Sequence, residues 1–144
     1  MGLDMYLNAK RYLWHNEDEL ADKIGEFFPE IGNKRVKEIT VQAMYWRKAN
    51  AIHKWFVDFV QNGVDDCGNY NVSREQLQEL IDLIDAAIEQ QDASILPPAS
   101  GFFFGSTDVD KYYWADLKQT REELFKIVND NFPRGWFFEY HSSW

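Results

Sequence analysis

The stretch EITVQAMYWRKANAIHKWFVDFV (residues 38–60) changes its hydrophobic period midway, and that change decides the fold class. In its first part Ile39, Val41, Ala43 and Tyr45 alternate with Glu38, Thr40, Gln42 and Met44, the period of a strand with one buried face. From about Arg47 the spacing becomes helical. Ala49, Ile52, Phe56, Phe59 and Val60 fall on one face, and Asn50, Lys54, Asp58 and Gln61 fall on the other. Asn62-Gly63 supplies a C-terminal stop.

Outward from this junction the same two periods recur. Leu3, Met5, Leu7 and Ala9 alternate with Asp4, Tyr6 and Asn8, which predicts an N-terminal strand. A short helix is expected over 17–27, ended by Pro29. After the turn-like DDCGN (65–69), Ser73 and Gln76 form a capping box, and Leu77, Leu80, Ile81, Ile84 and Ile88 define the inner face of a second main helix. Residues 95–105 read as extended or irregular. Thr107 and Asp110 are placed as caps of a third helix, with Tyr113, Leu117, Thr120, Leu124, Ile127 and Val128 inward. After the Pro133-Arg134-Gly135 turn, Trp136, Phe138 and Tyr140 alternate with Glu139 and His141 in a terminal strand. The expectation is an α+β chain with a single domain over 1–144. A small, mostly antiparallel sheet of N-terminal, middle and C-terminal strands packs against three main helices, and periodicity leaves the strand order open.

Composition bounds what such a chain does. Its 144 residues are 45% hydrophobic and 17% aromatic, enough for a core and far from a disordered composition. The net charge of −9 argues against non-specific nucleic-acid binding, which needs cations against phosphate. The charge is unevenly spread: residues 34–54 carry six bases and one acid, while residues 74–92 carry six acids and one base. The single cysteine, Cys67, allows no intramolecular disulfide and fits a reducing compartment. The N-terminal residues contain no apolar stretch of signal-peptide length, and Tyr6 stands where a myristoylation motif needs Ser or Thr. Pro97-Pro98 interrupt the longest uncharged run. A soluble, cytoplasmic protein without membrane attachment is expected.

Three segments carry a resemblance. MGLDMYL at the start, YWRKANAIHKWFVDFVQNGVDDCGNY (45–70) with VSREQL after it, and SGFFFGSTDVDKYY (100–113) together resemble a family of small uncharacterised proteins of bacteriophages, prophages and bacterial genomes. The resemblance implies a soluble, phage-encoded accessory protein, a class that often counters host defences. It supplies no catalytic residues.

Four stretches are candidates for function. At the strand-to-helix junction, Arg47 and Lys48 are expected in a helix's first turn, where the positive dipole end disfavours them unless an anion binds. Tyr45 could stack there, and Asn50 lies on the same turn. In SGFFFGST (100–107), Phe102 and Phe104 should face opposite to Phe103, one set buried and the other lining a groove. Ser106 and Thr107 are placed at the next helix N-terminus, a second anion position. His53 with Asp65, Asp66 and Cys67 offers metal-ligating side chains but lacks the paired spacing of zinc sites, and an Asp-rich turn with a core histidine explains it. Glu75, Glu79, Asp82 and Glu89 form a negative stripe that could meet a basic protein surface.

No P-loop, GxGxxG, GxSxG or Ser-His-Asp pattern is present. The leading expectation is a binding protein, not an enzyme, that takes a small anionic, nucleotide-like ligand through Tyr45, Arg47, Lys48, Asn50, Phe103, Ser106, Thr107 and Tyr113. No cofactor and no metal are expected. Two alternatives stand beside it: an acidic inhibitor of a host protein, and a small hydrolase or metal-assisted enzyme using His53 and the 65–67 turn.

Overall fold

The computed structural model describes residues 2–101 and 103–144. Four antiparallel strands form one sheet in the order β2-β1-β4-β3: β1 (Asp4–Tyr12), β2 (Glu38–Arg47), β3 (Asn69–Val72) and β4 (Phe137–Ser143). The chain's two ends supply the central pair, with Met5 opposite Ser142, Leu7 opposite Tyr140 and Ala9 opposite Phe138. Helices α2 (Asn50–Phe59), α3 (Arg74–Gln90) and α4 (Lys111–Lys126) contribute to the buried core, and a short α1 (Asp18–Gly25) lies between β1 and β2. The architecture is α+β. Among the described residues no helix is long and apolar enough to cross a membrane.

The N-terminal alternation holds: Leu3, Met5, Leu7 and Ala9 are all fully buried. So do the inner faces of α3 and α4, where Leu77, Leu80, Ile84, Leu117 and Leu124 have no exposed surface. In the core Phe56 stacks on Tyr140 with ring centroids 3.8 Å apart, and the Trp46 indole donates to Thr120 Oγ1 at 2.8 Å. The second contact satisfies a buried N–H and joins β2 to α4.

The middle strand departs from its expected parity. Leu7 pairs with Met44 but Asn8 pairs with Gln42, so Ala43 is an extra residue, a β-bulge. Val41 and Ile39 face the helix side, opposite Ala9 and Arg11, but beyond the bulge that side passes to Met44 and Trp46. Val41 lies near the open end of this edge strand and keeps 38% of its surface, whereas Met44 and Trp46 are buried. Tyr45 is therefore on the outer face.

Three boundaries are also corrected. Arg47 ends β2 and helix α2 starts only at Asn50, so neither Arg47 nor Lys48 lies in its first turn. The strand persists because the Lys48 amide still donates to the Leu3 carbonyl at 2.7 Å. Helix α4 is capped by Asp110, which accepts from the amides of Tyr112 and Tyr113, so Ser106 and Thr107 lie in the preceding loop. The turn-like region after Cys67 continues into β3, whose pairing with β4 gives the sheet its fourth strand. On α2, Phe59 at the last position is exposed, whereas Trp55 is buried.

Candidate functional site

A cleft of about 340 Å³ opens where β2 passes into α2 and meets the start of α4. One wall is Arg47, Lys48 and the first turn of α2. The other is Tyr112, Tyr113, Asp116 and Leu117 of α4, with Ser106, Asp108 and Asp110 from the loop before it. Its volume is within the range of small-molecule sites, about 300–1,000 Å³.

Arg47 is fixed from outside the cleft. Its Nη1 donates to Asp4 Oδ1 at 2.8 Å, and the Tyr45 hydroxyl donates to the same oxygen. The Tyr45 bond, then Arg47's own hydrogen bond and charge, hold the Asp4 carboxyl below its ordinary range. Tyr45 thus acts on Asp4 and lies outside the cleft lining.

Lys48 has a left-handed backbone, φ 56°, uncommon for a residue with a side chain. Its stem crosses Gly105, where a Cβ would come within 3.3 Å of Lys48 Cδ, and Gly2, where a Cβ would come within 3.0 Å of Lys48 Cε. The two glycines leave the room this stem occupies. Among the described residues the Lys48 ammonium makes no ion pair. Strained backbone at a cleft wall is characteristic of sites organised for a ligand.

Asn50 closes the floor. Its amide donates to the carbonyls of Phe104 at 3.0 Å and Ser106 at 2.9 Å, and its oxygen accepts from the Ala99 amide at 3.1 Å. The side chain is buried and these bonds hold the 99–106 segment against α2. It shapes the cleft, and both of its amide hydrogens are already engaged. The next two amides, Ala51 and Ile52, have no acceptor among the described residues, as the first turn of a helix dictates.

The α4 wall is acidic. Asp110 is occupied as a cap, and Ser106 Oγ accepts from the Asp108 amide at 3.0 Å. Asp116 is half-buried with no hydrogen-bond partner among the described residues, and burial followed by the Asp110 charge raises its pKa. The Tyr113 ring is buried and its hydroxyl donates to the Leu96 carbonyl at 2.7 Å. Two cations and three carboxylates make the cleft two-poled.

Of the eight residues singled out from sequence, Arg47, Lys48, Asn50, Ser106 and Tyr113 line this cleft, and Tyr45, Phe103 and Thr107 do not. Phe103 is half-buried, and its carbonyl accepts from the Leu3 amide. Phe104 packs edge-on against His53 at 5.1 Å, and Phe102 lies outside the described residues. Sequence reasoning missed Asp4, Asp108, Asp116 and Tyr112. None carries a local signature, since their place depends on strand register and on the turn at which α4 begins.

His53 is buried with both ring nitrogens engaged: Nδ1 with the Tyr140 hydroxyl at 2.6 Å and Nε2 with Asp65 Oδ2 at 2.9 Å. Burial, then the nearby Asp65 and Cys67 charges, push the Tyr140 hydroxyl far up, so it keeps its proton. The Asp65 carboxylate is an acceptor, so the His53 Nε2–H donates to it. Asp66 accepts instead from the Tyr70 hydroxyl, and among the described residues no group of three His, Cys, Asp or Glu gathers for a metal. Comparison of the chain with protein-family models, curated proteins and solved structures finds no match.

Proposed function

We propose that the protein binds a small nucleotide-like molecule, anionic at one end, in the cleft between α2 and α4 without turning it over. The observation that carries this reading is the convergence on one cleft of Lys48 without an ion pair and the unbonded amides of Ala51 and Ile52. These groups suit a phosphate, for which a cation and helix-end N–H groups are the usual partners. Asp116, on the other wall, suits a ligand hydroxyl or amine, and Tyr112 gives a ring beside it. A phage-encoded chain of this kind would act by sequestering a signalling nucleotide.

Mass spectrometry of small molecules released by heating the purified protein tests the reading without assuming a ligand. A thermal-shift panel of nucleotides follows. A true ligand at a hundredfold excess over its Kd stabilises the fold by about 2.7 kcal/mol. Lys48→Ala removes most of that gain while leaving the unliganded melting temperature close to wild type. No released molecule, and no nucleotide shift, would end the proposal.

A second reading rests on a different surface. Glu75, Glu79 and Glu89 on α3 are exposed and make no ion pair among the described residues. This face suits a basic region of a host protein.

A further inference from the structure

A second cleft, about 600 Å³, lies at the other end of β1. Lys10 on its floor is six residues along the strand from Asp4, about 20 Å from the Arg47 end. Register puts Lys10, Phe137, Glu139 and Asn71 on the sheet face away from Ala9 and Phe138, and therefore away from the core. Tyr12 and Trp14 stand beside them with ring centroids 6.0 Å apart.

Three large aromatic side chains are left open here: Tyr12 is 45%, Trp14 66% and Phe137 56% exposed. The backbone of Trp14 is nevertheless tied down. Its amide donates to Glu17 Oε2 at 3.3 Å and its carbonyl accepts from Arg35 Nη2 at 2.8 Å. Arg11 and Asp18 in turn hold Glu17 and Arg35 through ion pairs. A solvent-facing indole on a fixed backbone needs little ordering on binding, and exposed aromatic patches of this kind mark binding surfaces.

The charges on the floor narrow the guest. Lys10 and Glu139 pair at 3.1 Å and are the only charged residues among the described ones that line the cleft, so their charges balance. A balanced pair of this kind suits a guest without net charge. Glu139 Oε1 and the Asn71 amide have no partner among the described residues. A guest that covers them must both donate and accept, since burying an unmatched carboxylate oxygen is costly. We infer that this cleft binds a neutral oligosaccharide. The C–H face of a pyranose ring stacks on Trp14, Tyr12 or Phe137, and its hydroxyls accept from Lys10 and Asn71 while donating to Glu139. A proline-rich peptide, the other common guest of aromatic grooves, offers carbonyl acceptors, and its prolines have no N–H for Glu139.

The test titrates the full chain with neutral oligomers of glucose, xylose, mannose, galactose and N-acetylglucosamine, and separately with a proline-rich decapeptide. The indole N–H signals are followed by NMR. At least one saccharide is expected to shift the Trp14 signal. Trp14→Ala should weaken that binding about tenfold or more, with an unchanged melting temperature, and Glu139→Gln should weaken it similarly. Lys48→Ala, in the other cleft, should leave it unaltered. The inference is overturned if no saccharide shifts Trp14 at millimolar concentration, if Trp14→Ala binds as wild type does, or if the peptide binds at Trp14 more tightly than every saccharide.

Discussion

Asn50 gives two hydrogen bonds to carbonyls and takes one from an amide, all on the 99–106 segment. Sequence pattern marks it only as a polar residue at a helix start. Its partners lie 49 to 56 positions away, so its role as the tie between α2 and the loop is invisible without them. Asn50→Ala leaves two carbonyls and an amide to find water or go unpaired. Each buried unpaired group costs about 1–3 kcal/mol, and partial hydration places the loss toward the lower part of their sum. Chemical denaturation should show that loss, and amide exchange should quicken first over residues 99–106. Unchanged stability with unchanged exchange there would show that the segment is held by packing alone.

At the scale of elements, α3 separates packing from charge. Ile84 is fully buried, whereas Glu75, Glu79 and Asp82 are exposed on the same helix. Ile84→Asp places a carboxylate where no partner waits and should abolish cooperative unfolding or lower the melting temperature severely. Reversal of Glu75, Glu79 and Asp82 to Lys should leave the fold standing, because exposed charges contribute little to stability. If the acidic face binds a basic host protein, the reversed chain should associate more slowly, and salt should weaken the wild type. Full function of the reversed chain in a host assay would remove the inhibitor reading. The capping box that opens this helix was legible from Ser73 and Gln76 alone, and the two side chains bond each other's backbone amides at 3.0 and 2.9 Å. The bulge at Ala43 was not, since an extra residue is defined only against the strand that lacks it.

At the scale of the whole molecule, three carboxyls contribute acid sensitivity. Asp4, Asp66 and Asp92 are held below the ordinary value of 3.8, by Tyr45 and Arg47, by Tyr70 and the Gly68 amide, and by Ser94. A carboxyl lowered on folding binds fewer protons than in the unfolded chain. Its stabilising contribution is present above 3.8 and is lost as pH falls through the folded value. Asp116 works the other way: burial and Asp110 raise it, so its ionisation destabilises the fold as pH climbs past 3.8. The melting temperature should therefore fall as pH drops below about 4, and Asp4→Asn should make that fall shallower. Identical slopes for the two chains would show that the Asp4–Arg47 pair contributes nothing to folding.

What the amino-acid sequence determined by itself is most of the elements and most of their buried faces. The alternation of Leu3 to Ala9, the helical spacing from Leu77 to Ile84 and the Ser73 cap depend on neighbours within one or two turns, where covalent geometry fixes which side chains share a face. Only the tertiary structure decided the strand order, the change of face in β2, the fourth strand and both clefts. Each depends on residues far apart in the chain, as Asp4 and Arg47 are at 43 positions, or Trp46 and Thr120 at 74. Periodicity states which side of an element is apolar. It does not state which element will cover that side, and the cleft lies where the covering leaves off.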